Sequence, residues 1–338
     1  MIAIDLFCGC GGTTDGLKKA GFNVVLAIDN CISAVNAYIM NHNTTKVICE
    51  DIRKISHSDI IDNIGNTTIH LLSGCPPCQG FSSIRRLNKK KNVKDDRNNL
   101  LNEYLRIINS LRPLTIMFEN VPAVKNYSLF KQMIFSLKGM GYFLDYNVIN
   151  MKDYGIPQRR KRLFVIGSLL GNINIANSFE APMTVRNAIS HLSGPSKSKD
   201  HIHRIIPKHT KRISKMISLI PKDGGSRKDL RRNYILDCHK KENVGFNDVY
   251  GRLKWDDFST TITGGCLNPS KGRFLHPSYN RCISAREAAL LQSFPENYKF
   301  PQDISKTELA LMIGNALPPK FAFIQAEHIA RHINALKL

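Results

Sequence analysis

Over its first half the chain alternates short apolar runs with polar turns. Ile2-Ala3-Ile4-Asp5-Leu6-Phe7 is apolar apart from one carboxylate and stops at Gly9-Cys10-Gly11-Gly12, which predicts a buried strand entering a tight turn. Leu17, Ala20 and Gly21 suit a helix and its end. Phe22 to Ile28 is a second run closing on Asp29, and Ala34, Ala37, Tyr38 and Met40 follow at helical spacing. Val47-Ile48-Cys49 leads to Asp51, and Ile69 to Leu72 leads to Gly74-Cys75-Pro76-Pro77-Cys78. Leu100 to Leu111 predicts an amphipathic helix, Thr115 to Phe118 a strand leading to Glu119, and Leu163 to Ile166 a further strand. Strands alternating with helices predict an α/β fold with a doubly wound, mostly parallel sheet. Asp5, Asp29, Asp51, Cys78 and Glu119 fall at the carboxyl ends of successive strands, the edge where open α/β sheets hold ligands.

After about residue 180 the alternation is lost. Residues 190–282 are rich in Lys, Arg, His, Gly and Pro, with short β-like pieces such as Thr260-Thr261-Ile262-Thr263. A smaller, mainly irregular and β domain is expected over 181–285, after a first domain over 1–180. Ser284 and Glu287 then make a capping box ahead of an apolar run. The last helix follows Pro318-Pro319, with Phe321, Ile324, Ile329 and Ile333 on one face.

Composition narrows the function class. A hydrophobic content of 42% in 338 residues excludes a disordered chain. No apolar run approaches the roughly 20 residues that span a bilayer, and Met1 to Asp5 has no basic leader, so no membrane partner is expected. Nine cysteines without a secretion signal read as a reduced, cytoplasmic chain. The formal charge is +21, and it is clustered. Residues 191–240 hold 13 Lys/Arg against 4 acids, residues 83–97 hold 7 against 2, and residues 151–162 hold 5 against 1. Three basic stretches predict a composite surface for a polyanion.

The candidate chemistry lies at the strand ends. The glycines after Phe7 let backbone approach a ligand, although Thr14 stands where a dinucleotide fingerprint has its third glycine. Asp29 can accept both ribose hydroxyls and Asp51 an adenine amine, so Asp5, Asp29 and Asp51 outline a nucleoside pocket. In Cys75-Pro76-Pro77-Cys78-Gln79 two prolines fix a rigid turn that presents Cys78, a candidate nucleophile in a basic surround. The alternatives are a redox Cys-x-x-Cys, or zinc shared by Cys8, Cys10, Cys75 and Cys78, whose pair spacing is tighter than tetrahedral zinc usually takes. No metal site is expected. Glu119 can lie beside Cys78 across the sheet and, if desolvated, donate a proton. Gln158, Arg160 and Arg162 alternate ahead of an apolar strand, so a common face suited to an anion or a base carbonyl is expected.

In order and spacing these motifs resemble the DNA cytosine-5 methyltransferases of bacterial restriction-modification systems, over nearly the whole chain. The resemblance implies a Rossmann-like fold and S-adenosylmethionine as cofactor, with S-adenosylhomocysteine as product. Phe7, Gly9, Gly11 and Gly12 match the cofactor loop, Asp29 the ribose acid, and Asp51 with Ile52 the adenine contacts. Pro77-Cys78-Gln79 matches the nucleophile motif, which leaves Cys75 non-catalytic. Arg97 and Leu100 fall in the next motif, Glu119-Asn120-Val121 in the catalytic glutamate motif, and Gln158, Arg160 and Arg162 in Gln-x-Arg-x-Arg. Arg286-Glu287-Ala288 with Leu291 to Pro295 resembles the motif closing the recognition domain. Gly314-Asn315-Ala316 with Pro318-Pro319 resembles the last motif, so 286–338 is expected to return to the first domain, with Asn315 and Ala316 completing the pocket.

The implied reaction is methylation of carbon 5 of a flipped-out cytosine through a covalent Cys78 adduct, with Glu119, Arg160 and Arg162 assisting. The partner implied is duplex DNA, met by Gln79, Ser82, Arg85, Arg97 and Gln158 near the base and by Arg227, Arg231, Thr261 and Thr263 in the recognition domain. Lys228 and Arg232 belong to the same basic stretch. A monomer paired functionally with a cognate endonuclease is expected. One branch of the family acts on transfer RNA, but its Cys-Phe-Thr tripeptide is absent here.

Overall fold

The computed structural model describes residues 1–77, 99–178, 180–240 and 248–336. In chain order the strands are β1 (Ile2–Leu6), β2 (Asn23–Asp29), β3 (Lys46–Cys49), β4 (Leu71–Gly74), β5 (Thr115–Asn120), β6 (Phe143–Asn150), β7 (Gln158–Arg159), β8 (Lys161–Ser168) and β9 (Ser259–Thr260). The chain forms two compact units. One comprises Met1–Met151, Lys161–Phe179 and Leu317–Leu338; the other comprises Lys152–Arg160 and Glu180–Ala316.

The first unit is a sheet of order β3-β2-β1-β4-β5-β8-β6. β1 to β5 pair in parallel, and β8 runs antiparallel between β5 and β6. The fold is therefore the expected α/β type with a mostly parallel sheet. Central strands covered on both faces need near-continuous apolar sequence, which Ile4, Leu6, Leu26, Ile28, Leu72 and Phe118 supply. The register sets the ligand edge: Leu6 pairs Gly74, Gly74 pairs Phe118, and Asp29 pairs Cys49.

Two glycines allow layers to meet. The helix Leu100–Leu111 buries Leu100, Leu101, Tyr104, Ile107 and Ile108 at three- and four-residue spacing. Its Tyr104 hydroxyl bonds the carbonyls of Leu72 (3.3 Å) and Met117 (3.0 Å), tying the helix to two adjacent strands. A Cβ at Gly74 would lie 2.5 Å from the Tyr104 ring. A Cβ at Gly16, in the helix Gly12–Lys19, would lie 2.5 Å from Phe323 N and 2.6 Å from Pro319 O. Gly16 thus lets the C-terminal helix Pro319–Leu336 pack backbone to backbone against the first helix.

The second unit is mainly irregular, with short β pieces. Among the described residues its strands are β7 and β9, two residues each and parallel, with isolated bridges Arg252–Leu275 and Leu275–Cys282. The rest is loops, 3-10 turns and short helices such as Lys211–Leu219 and Lys306–Asn315. Ser284 and Glu287 form the capping box of the helix Ala285–Leu291. The segment expected to return as 286–338 divides: 286–316 packs within the second unit, and 317 onward within the first.

One sequence expectation fails on backbone grounds. Alternate residues share a face only within one strand. The chain leaves β7 at Arg159 and enters β8 at Lys161, in a different sheet. Gln158 and Arg160 therefore belong to the second unit and Arg162 to the first, and the three share no strand face.

Candidate functional site

The turn after β1 is built on left-handed backbone. Phe7 (φ 56°), Gly9 (φ 53°) and Gly11 (φ 91°) all have positive φ. A side chain at Gly9 would meet nothing within 4 Å, so backbone conformation, rather than lack of room, calls for glycine there. The loop lies open on that side.

Two carboxylates brace this turn. Asp29 accepts from Gly9 N (2.8 Å) and Cys31 N (2.9 Å), which locks the end of β2 to the glycine loop. Burial pushes its carboxyl up, partly offset by those backbone bonds. Asp5 is 1% exposed and accepts from Thr14 Oγ1 at 2.8 Å, and that hydroxyl lies 2.9 Å from Tyr38 OH. Desolvation lifts the Asp5 carboxyl to about 7. Asp5 thus supports the loop from beneath. His42, just after the helix Ile32–Asn41, does the same: burial pulls the ring down to about 4, and the neutral ring donates Nε2–H to Gly11 O at 3.1 Å. The sequence pattern placed Tyr38 on a helix and Thr14 in the glycine motif but signalled neither their bond to one another nor His42.

Asp51 caps the 3-10 turn Ile52–Lys54 by accepting from Arg53 N. The Arg53 guanidinium on the same carboxylate holds it down to about 2, so it is ionised. Ile52 and Leu100 are buried in the apolar core, Phe7 packs against it, and Pro77 is exposed. Cys8 and Cys10 are buried thiols; burial pushes Cys10 up to about 12. Among the described residues, no three His, Cys, Asp or Glu side chains converge as a metal-ligating group.

Glu119, next to the last residue of β5, is 7% exposed, and Arg162 Nε from β8 lies 2.8 Å from its Oε1. The neighbouring residue matters too: Asn120 Nδ2 donates to Pro76 O at 3.1 Å, tying the proline turn to the end of the Glu119 strand. Cys78, Gln79, Ser82, Arg85 and Arg97 lie outside the described residues, as does the basic 83–97 stretch.

In the second unit, residues expected at a nucleic-acid surface are instead buried. Gln158 is fully buried; its Nε2 donates to Leu291 O (3.0 Å) and to Gln292 Oε1, and its Oε1 accepts from Ile262 N (3.1 Å). Arg160, 2% exposed, donates Nη1 to the carbonyls of Ile262 (3.0 Å) and Gly314 (2.9 Å). Gln292 Nε2 reaches the carbonyls of Ile313 (2.6 Å) and Ala316 (3.2 Å). These side chains stitch four separate segments together by satisfying their backbone groups. Gly314 packs so tightly that a Cβ would lie 2.1 Å from Thr263 C. Asn315 is exposed and Ala316 half-buried, both in this unit.

The recognition residues divide the same way. Arg227 is 4% exposed, and burial pulls its guanidinium down, whereas Arg231 is exposed. Thr261 donates its hydroxyl to Arg159 O (2.8 Å), and Thr263 Oγ1 accepts from Gly265 N (3.3 Å).

Comparison with known proteins agrees with this architecture. Residues 1–331 match the family of C-5 cytosine-specific DNA methylases. The Type II methylase M.HgiDII of Herpetosiphon aurantiacus is 36% identical over 98% of this chain and 96% of that protein. The Type II methyltransferase M1.BsuMI of Bacillus subtilis is 31% identical over 97% of this chain and 80% of that protein. The crystal structure of the S. pombe Dnmt2 methyltransferase superposes with a TM-score of 0.65 at 19% identity, covering 99% of both chains, a likeness of fold. With the family matched from the glycine loop to the last helix, the chain belongs to the C-5 cytosine-specific DNA methylases and is a DNA (cytosine-5-)-methyltransferase.

Proposed function

We propose that this protein is the modification enzyme of a Type II restriction-modification system. It methylates carbon 5 of one cytosine in a short duplex DNA site, with the base flipped out of the helix. The observation that carries the reading is the arrangement at the ends of β4 and β5. There Glu119 is buried against Arg162, and Asn120 holds the proline turn that leads into Cys78. Adjacent strands lie about 4.8 Å apart, so residues just beyond two neighbouring strand ends can serve one substrate ring.

The residues around the glycine loop fit S-adenosylmethionine. The open side of the loop admits a ligand to backbone, Asp29 suits the ribose hydroxyls, and the ionised Asp51 with Ile52 suits the adenine. When bound, this cofactor supplies an electrophilic methyl group to carbon 5.

The chain's own groups do the rest. Carbon 5 of cytosine is a poor nucleophile. The Cys78 thiolate adds to carbon 6, forming a C–S bond, while Glu119 hydrogen-bonds or protonates ring nitrogen 3. Carbon 5 then carries enamine character. Arg162, beside Glu119, orients that carboxyl and stabilises charge developing on the base. Once carbon 5 is methylated, loss of its proton expels the Cys78 sulfur and restores the ring. Arg160 and Gln158 act as positioning residues within the second unit. An endonuclease cutting the same site would complete the system.

Bisulfite sequencing of DNA from cells expressing the chain tests the reading. Protected cytosines at one short recurring sequence are expected, absent with an empty vector. Uniform conversion in both would overturn it.

A further inference from the structure

Arg252 is a fully buried cation in the second unit, and its hydrogen bonds run to oxygen acceptors that carry no charge. Nη1 donates to His276 O (2.9 Å) and Tyr279 O (2.6 Å); Nη2 donates to Ile217 O and Asn280 Oδ1 (each 2.8 Å). Its effect is to hold the turn Ser278-Tyr279-Asn280, whose three residues are exposed, from beneath. His276, a neutral ring pulled down to about 4 by burial, accepts both Ser278 N and Tyr279 N at 3.1 Å. Trp255 Nε1 donates to Ser278 Oγ at 2.8 Å. Arg281 lies over the Tyr279 ring at 5.3 Å. An exposed turn pinned by so many buried donors and acceptors is rigid.

The pinning also sets the polarity of what the turn offers outward. Asn280 Oδ1 is taken by Arg252 and by Lys222, so the amide end left over is the Nδ2 donor. Ser278 Oγ already accepts from Trp255, which leaves its proton to donate. Tyr279 is 56% exposed and brings a phenol hydroxyl. Lys197 is exposed on the other wall of a cleft between Gly194–Lys197 and Tyr279–Arg281. Arg281 and Glu287 neutralise one another as a two-bond pair (2.7 and 2.6 Å), so Lys197 sets the sign of this cleft. A cluster of donors beside an unneutralised ammonium complements a phosphate oxygen.

We propose that the Ser278–Asn280 turn, with Lys197 across the cleft, is a phosphate clamp on the backbone of duplex DNA. The inference rests on the reading that duplex DNA is the substrate. It assigns a sequence-independent positioning contact to the 278–280 turn, which lies outside the basic 191–240 stretch, with Lys197 joining it from within that stretch.

The test uses the full-length protein and any duplex of about 30 base pairs, because a phosphate contact is indifferent to sequence. Asn280→Asp keeps an oxygen for Arg252 and Lys222 but replaces the outward donor by a repelling oxygen. Its dissociation constant at about 0.1 M salt should rise roughly tenfold. Lys197→Ala should weaken binding and reduce the slope of log affinity against log salt by about one. Tyr279→Phe should lose about threefold. Melting curves and S-adenosylmethionine binding should match the wild type. If Asn280→Asp does not fold, Lys197→Ala and Tyr279→Phe decide the question. Wild-type affinity and salt slope in both of these would overturn the clamp. A wild-type protein that binds no duplex at any salt would overturn the underlying reading, and the clamp with it.

Discussion

At the residue scale, two cysteines three positions apart, Cys75 and Cys78, have different expected roles, and substitution separates them. Cys78→Ala should bring methyl transfer to background while leaving duplex binding near wild type, read by tritium incorporation and by gel shift. Cys75→Ser should retain substantial activity; a dead Cys75→Ser enzyme would reassign the nucleophile. Asp5 allows a prediction in pH. Its folded carboxyl is raised to about 7 from an ordinary 3.8, so folding stabilises the protonated form. That stability is fully present below the unfolded value and is lost as pH rises through about 7. His42 and His276 act in the opposite sense: both are pulled down to about 4, so they destabilise the fold as pH falls below 6.5. They remain in an Asp5→Asn variant and cancel in the difference. The stability advantage of wild type over Asp5→Asn should therefore shrink by on the order of a few kcal/mol between pH 4 and 8, measured by urea unfolding. An advantage that grows with pH would exclude a buried, protonated Asp5.

At the element scale, two helical glycines should respond oppositely to the same change. Alanine raises helix propensity by about 1 kcal/mol over glycine. At Gly139, in the helix Ser128–Gly139, an added Cβ meets nothing within 4 Å, so Gly139→Ala should stabilise by about 0.5–1 kcal/mol. At Gly16 the Cβ would press on backbone atoms of the C-terminal helix at 2.5 and 2.6 Å, and backbone cannot rotate away. Overpacking of about 1–3 kcal/mol outweighs the propensity gain, so Gly16→Ala should lower the urea midpoint. The elements themselves were largely legible. The helix over Leu100–Leu111 and the starts of β1, β2, β3 and β5 follow apolar periodicity to within a residue or so. β6 was not, because its edge position half-buries an alternating mixture, FLDYNVIN, with no continuous apolar run. The second unit is mainly irregular, as expected, with short β pieces. Beside an apolar cluster that includes Ile217 and Leu275, its loops are held by polar side chains capping backbone, as Gln158, Arg160 and Arg252 do, and apolar periodicity does not register such contacts.

At the scale of the whole molecule, charge is the property with the longest reach. A formal +21 clustered in three stretches suits many phosphate contacts on DNA, here the proposed duplex substrate. Affinity for nonspecific duplex should accordingly fall by roughly 10³-fold or more between about 50 and 200 mM salt, followed by fluorescence anisotropy. A flat salt response would show that the clustered charge does not meet phosphates. The family, the α/β class and the strand-end positions of Asp29 and Glu119 were readable from the chain, whereas Cys78 lies outside the described residues. They rest on local features: apolar runs, glycines at positive φ, prolines in a tight turn and the order of motifs. What needed tertiary structure was the fate of individual polar side chains. Arg160 and Arg162 stand two residues apart with the same charge, yet one is buried among carbonyls of the second unit and the other lies against Glu119 in the first. Burial and partner choice depend on which distant segments arrive beside a residue, such as Ile262 and Gly314 at Arg160. Local sequence states a side chain's charge and reach, and only the folded chain states what it meets.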